Sequence, residues 1–174
     1  MIKRNEIVTM IKFTAIILLL LVILKGIGIL ILLILLSFGI SFIINNLQIK
    51  QIGIELVTLI AVLSGHKYGP WIALAITFIL ISYHIIAGGF FGNYILWVIP
   101  AYCLAALISG YLPFLDLTQL GIYVTLAINM INIFFTALTN PTYLPRYLPY
   151  PITNIIFNIF LFTILVPPLS VFIK

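Results

Sequence analysis

Apolar residues in this chain come in long unbroken blocks, not in the half-polar repeat of helices that face water on one side. No charged residue falls within 26–49, Tyr68–Leu115, Leu117–Pro145 or Tyr147–Ile173. About 20 apolar residues cross the ~30 Å hydrocarbon core as a helix, so each block suffices for one crossing and Tyr68–Leu115 for two. Gly88-Gly89-Phe90-Phe91-Gly92-Asn93 supplies the reversal inside the longer block, because Gly and Asn accept the backbone angles of tight turns. The pattern predicts six helical segments, at about 26–47, 52–65, 70–87, 93–112, 119–139 and 152–173. The second has roughly 14 residues, about 21 Å of helix, and so needs a thinned bilayer or a place inside protein. Pro167-Pro168 predicts a kink or an end to the last helix. The connector 140–151 holds four prolines and three tyrosines, which predicts a stiff, extended loop at the membrane interface.

The first 25 residues stand apart from this core. Lys3, Arg4 and Lys12 precede the apolar run Phe13–Leu24, and no small-residue cleavage site intervenes before Lys25-Gly26, so the segment reads as uncleaved. Asn5, Thr9 and Lys12 share one helical face, which suits an interfacial helix; an additional transmembrane helix is the alternative. With six core crossings starting inside, six Lys/Arg lie on the inner side and two outside, the better fit to the positive-inside bias. The expected architecture is therefore all-α: a polytopic, multi-pass protein of the cell membrane with a six-helix core at 26–174 after an N-terminal segment at 1–25.

Composition narrows the function classes. The 174 residues are 64% hydrophobic and 6% charged, far from the roughly 25% charge of soluble domains. With a mean hydropathy of +1.36, the chain has no room for a soluble catalytic or nucleotide-binding domain. The net charge of +5 is scattered rather than gathered on one face, which argues against nucleic acid. Cys103 is alone in an apolar run and reads as a packing residue. No metal-ligand spacing, phosphate loop or nucleophile motif is present, so neither enzyme chemistry nor a cofactor is expected.

Where the scarce polar groups fall is more informative. Consecutive crossings run in opposite directions, which assigns each residue to one half of the bilayer. Glu55, His84, Asn93, Trp97, Asn132, Thr136, Asn154 and Asn158 all fall in one half, beside the loops at 48–51, 88–92 and 140–151. The other half offers mainly the hydroxyls of Ser64, Thr77, Ser109, Thr125, Thr163 and Ser170. Polar side chains in lipid are costly and mark sites, so a polar, aromatic-lined cavity opening at one face is the expectation. Its candidate lining residues are Asn93, Trp97, Asn132, Thr136, Arg146, Asn154 and Asn158. Thr125, Asn129, Asn132 and Thr136 are spaced 4, 3 and 4 and form one helical stripe, while Asn154 and Asn158 are one turn apart. Their amides suit a neutral or zwitterionic ligand, although Asn129 reads better as a bond between helices. Arg146, the one charge in the long loop, suits a carboxylate or phosphate, with interface snorkelling as the bland alternative. Glu55 reads as a boundary carboxylate, and His84 lacks partners for a metal. Ala101, Ala105 and Ser109 make a small-residue ridge suited to docking a partner membrane subunit.

The short segment Glu55–Gly65, the Gly65…Gly69-Pro70 corner, the Gly88-Gly89 turn and a proline-rich loop before an Asn-bearing last helix together resemble the S components of energy-coupling factor transporters. The resemblance covers about 26–173. It implies a six-helix substrate-binding subunit for a small water-soluble vitamin or micronutrient, with its site near the outer face. It also implies a transmembrane coupling subunit and two ATPases as partners. The family's alanine-rich docking pattern is not found in Gly26–Asn46, which offers Ser37 and Ser41. The chain is also similar to the rod-shape-determining membrane proteins, which would make it a scaffolding subunit of the cell-shape or wall-synthesis machinery. There Ala87-Gly88-Gly89 replaces their usual acidic residue.

Overall fold

The charge-free blocks fold as helices. The computed structural model describes residues 26–44, 46, 52–89 and 92–173, and no strand occurs among them. The N-terminal segment 1–25 and most of the loop 45–51 lie outside the described residues. In chain order the helices are α1 (Gly26–Ile44), α2 (Val57–Tyr68), α3 (Pro70–Gly88), α4 (Ile95–Tyr111), α5 (Leu117–Thr139), α6 (Leu144–Tyr147), α7 (Pro149–Phe160) and α8 (Val166–Ile173). Four helical stretches are long and apolar enough to cross a membrane: Gly26–Ile44, Pro70–Gly88, Leu117–Thr139 and Leu144–Ser170. Their outward faces carry large apolar side chains such as Ile31, Phe78, Met130 and Ile156, as lipid contact requires.

The short second segment sits inside protein. Every residue of α2 from Val57 to Gly65 is buried, and the helix packs against α3, α4 and α5. Its 12 residues amount to about 18 Å, too short for a crossing. The entry Ile52–Leu56 is not helical, against the predicted start at 52. Backbone of that kind survives at depth only where protein satisfies its polar groups. Here Gly53 N–H donates to Thr153 Oγ1 at 2.8 Å, and Asn154 Nδ2 donates to Gly53 O at 2.9 Å.

Close approaches bind α2, α3 and α4. A Cβ on Gly65 would lie 2.8 Å from Ser109 Cβ and 2.9 Å from Ala106 O, so only glycine lets α2 touch α4 there. Gly69, at φ 86°, turns the chain directly into Pro70 at the first position of α3. Ala101, Ala105 and Ser109 are 5%, 5% and 0% exposed, so the small-residue ridge is spent on packing within the bundle. It is not a free docking surface, contrary to expectation.

The proline-rich connector also departs from expectation: it is largely helical. Pro145 lies in the first turn of α6 and Pro149 in that of α7, where a missing N–H costs nothing because no intrahelical acceptor is available. Pro167-Pro168 does not end the last helix either. A π turn at Leu161–Leu165, closed by Val166 N–H to Leu161 O, precedes α8, and both prolines fall in the first turn of α8. The hydroxyls of Ser64, Ser109, Thr125, Thr163 and Ser170 each donate to a carbonyl of their own helix three or four residues back.

Candidate ligand cavity

Three helices and the proline-rich connector converge on a cavity of about 410 Å³. From α3 come Ile81, His84 and Ile85, spaced 3 and 1; from the start of α4 come Tyr94, Trp97, Val98 and Tyr102. The last turns of α5 supply Asn132, Thr136 and Thr139 at spacings of 4 and 3. Tyr143, Arg146, Tyr147 and Tyr150 complete the wall, and their 3–4 residue spacing puts them on one face once the connector is helical. Asn93 and Asn140 stand at the rim. A volume of this size is in the range of small-molecule sites, about 300–1,000 Å³.

The cavity is graded in depth. Ile81, His84, Tyr102, Asn132 and Thr136 are buried, whereas Asn93, Thr139, Asn140, Tyr143 and Arg146 are exposed. The first group forms the floor and the second the mouth. Asn132 is 1% exposed, yet its Oδ1 has no hydrogen-bond partner, and neither does Trp97 Nε1. A buried polar atom without a partner costs about 1–3 kcal/mol, so two of them on one wall mark a place that a ligand or water completes. Trp97 is held by stacking on Phe135 at 5.8 Å and 19°, and Tyr147 stacks on Tyr150 at 6.1 Å and 16°. His84 Nδ1 meets Ser41 Oγ at 2.9 Å, which ties the α3 stripe to α1. Arg146 makes no ion pair among the described residues, and no Asp or Glu lines the cavity.

Of the seven predicted lining residues, the structure brings Asn93, Trp97, Asn132, Thr136 and Arg146 together. Asn154 and Asn158 do not line the cavity. They lie one and two turns deeper than Tyr150 and are bonded to a carboxylate. Glu55 is 1% exposed, enclosed by protein. Its Oε2 accepts Thr58 N–H at 3.0 Å, and its Oε1 accepts Thr58 Oγ1 at 2.6 Å, Asn154 Nδ2 at 3.1 Å and Asn158 Nδ2 at 3.5 Å. Glu55 thereby caps α2 from the side chain, where the helix dipole favours an anion. Asn129 Nδ2 donates to Asn154 Oδ1 at 2.8 Å, a bond between α5 and α7. The knot of Glu55, Asn129, Asn154 and Asn158 lies behind the floor and holds three elements in register.

Five tyrosines that the sequence pattern does not assign to the cavity line it: Tyr94, Tyr102, Tyr143, Tyr147 and Tyr150. Tyr143, Tyr147 and Tyr150 read as interface anchors in an extended loop, but their spacing of 4 and 3 was already the signature of a helical face. Tyr94 and Tyr102 flank Val98 at one-turn intervals in the same way. Among the described residues no group of three or more His, Cys, Asp or Glu gathers to hold a metal. No family model, no curated protein and no solved structure matches this chain.

Proposed function

We propose that this chain is the substrate-binding subunit of a multicomponent uptake system for a small, water-soluble micronutrient, a multi-pass protein of the cell membrane similar to the S components of energy-coupling factor transporters. The observation that carries this reading is the graded cavity at one end of an otherwise apolar bundle, with Asn132 Oδ1 and Trp97 Nε1 lacking partners in its wall. Six apolar segments, the second enclosed by the others, form the membrane domain. The polar mouth lies on the outer side, and Trp97 and the tyrosines hold the captured molecule. Nothing in so apolar a chain supplies energy, so release to the inside requires a transmembrane coupling subunit and ATPases. With the small-residue ridge buried, that partner docks on the lipid-facing apolar surface.

Thermal unfolding of the purified full-length protein, screened against water-soluble vitamins and their precursors, tests the reading. A ligand at about 100 times its Kd adds about 2.7 kcal/mol, a rise of roughly 5–10 °C for a chain of this size. Asn132→Ala is expected to weaken the same ligand about tenfold, because it removes the deepest acceptor. No rise with any compound would support the scaffolding alternative instead.

A further inference from the structure

Charge is distributed asymmetrically along the depth of the cavity. Arg146 stands at the exposed mouth without an ion pair among the described residues. At the opposite end Glu55 is shut behind the wall, 1% exposed and hydrogen-bonded to Asn154, which lies one helical turn beyond the lining residue Tyr150. Each of the Glu55 contacts described above is with a neutral donor, so no cation sits beside the carboxylate there. The floor holds the Tyr102 ring and Asn132, whose buried Oδ1 has no hydrogen-bond partner. A cation or N–H group there meets ring faces, an amide oxygen and a negative charge one layer behind. An anion there would meet the same charge as repulsion.

Resting on the uptake reading above, we propose that the cavity selects a zwitterion on a flat ring or chain, with its cationic or N–H-bearing nitrogen at the Asn132 floor and its carboxylate or phosphate at Arg146. Both ends matter: the single lining Arg orients the ligand, and the enclosed Glu55 supplies the field without touching it. The wall contributes stacking area from Trp97 and Tyr150 to the body between the charges.

The test uses purified full-length protein at pH 8, above the ordinary histidine range, so that His84 adds no charge. Probes are 4-(aminomethyl)benzoate and its longer homologue 4-(3-aminopropyl)benzoate, with 4-methylbenzoate and 4-methylbenzylamine as the singly charged controls. At least one zwitterion is expected to bind tightest, at least tenfold above either control. Arg146→Gln should weaken it about fivefold, as befits an exposed pair. Arg146→Glu, a change at an exposed position on the rim, should make 1,4-bis(aminomethyl)benzene the preferred probe. Equal or tighter binding of 4-methylbenzoate, or an unchanged ranking in Arg146→Glu, would overturn the charge assignment. So would silence from every probe. If another compound in the vitamin screen still stabilises the protein, only the ligand class is lost. If that screen is silent too, the uptake reading goes with it.

Discussion

Glu55→Ala is expected to lower the midpoint of thermal unfolding by roughly 10 °C, the largest drop of any single truncation in the chain. Three costs add. The cap on α2 is lost, which costs about 0.5–2 kcal/mol. Asn154 Nδ2 loses its bond to the carboxylate, and Asn158 Nδ2 is left with Asn154 O alone. Thr58 Oγ1 loses its acceptor as well, and a buried donor without a partner costs about 1–3 kcal/mol. At about 2–4 °C per kcal/mol for a chain of this length, a total of about 2–5 kcal/mol gives a drop of roughly 10 °C. Glu55→Gln keeps one acceptor oxygen and should fall between the two. Circular dichroism melts of the detergent-solubilised variants read the effect directly. A midpoint within about 2 °C of the unaltered chain would mean that the buried carboxylate does not hold the knot.

Gly53→Ala is expected to be nearly as damaging, for a steric reason. A Cβ there would collide with the Tyr150 carbonyl oxygen and stand 2.6 Å from Asn154 Cβ and 2.8 Å from Asn154 N. Two of these three neighbours are backbone atoms and cannot swing aside, so α7 must shift away from the Ile52–Leu56 entry. Overpacking of this kind costs about 1–3 kcal/mol, and the shift also lengthens the Asn154 bond to Gly53 O. Because Tyr150 faces the cavity, ligand binding should weaken together with stability. Gly39→Ala in α1 is the control: nothing lies within 4 Å of its added methyl, and Ala favours a helix over Gly by about 1 kcal/mol. Equal melting of the two variants would contradict the close approach at Gly53.

How far the sequence carried the structure can be followed residue by residue. Helix positions came through because a charge-free block in a chain this apolar has few other solutions, and α3, α4 and α5 start and end within a few residues of expectation. The convergence of Asn93, Trp97, Asn132 and Thr136 was legible because alternation of crossings fixes depth. Depth alone does not say what a side chain meets. Asn154 and Asn158 share that depth, but they are consumed by Glu55, which arrives there through a non-helical entry that apolar periodicity reads as helix. The tyrosine wall was hidden by proline. Four prolines in 12 residues suggest an extended chain, whereas prolines in first turns are compatible with helix, and that difference alone turns Tyr143, Tyr147 and Tyr150 inward. The ridge Ala101–Ser109 failed as a docking surface because small residues serve internal and external close approach alike.

Uptake requires the cavity mouth to open outside the cell. Thr142→Cys, on the exposed connector, and Phe114→Cys, on the exposed turn before α5, report the two sides of the bundle in a Cys103→Ala background. Intact cells are treated with a membrane-impermeant maleimide, with and without prior permeabilisation. Labelling of position 142 in intact cells, and of position 114 only after permeabilisation, is the expected result. Labelling of position 114 in intact cells with protection of position 142 would put the mouth in the cytoplasm and contradict a role in capturing nutrients from outside.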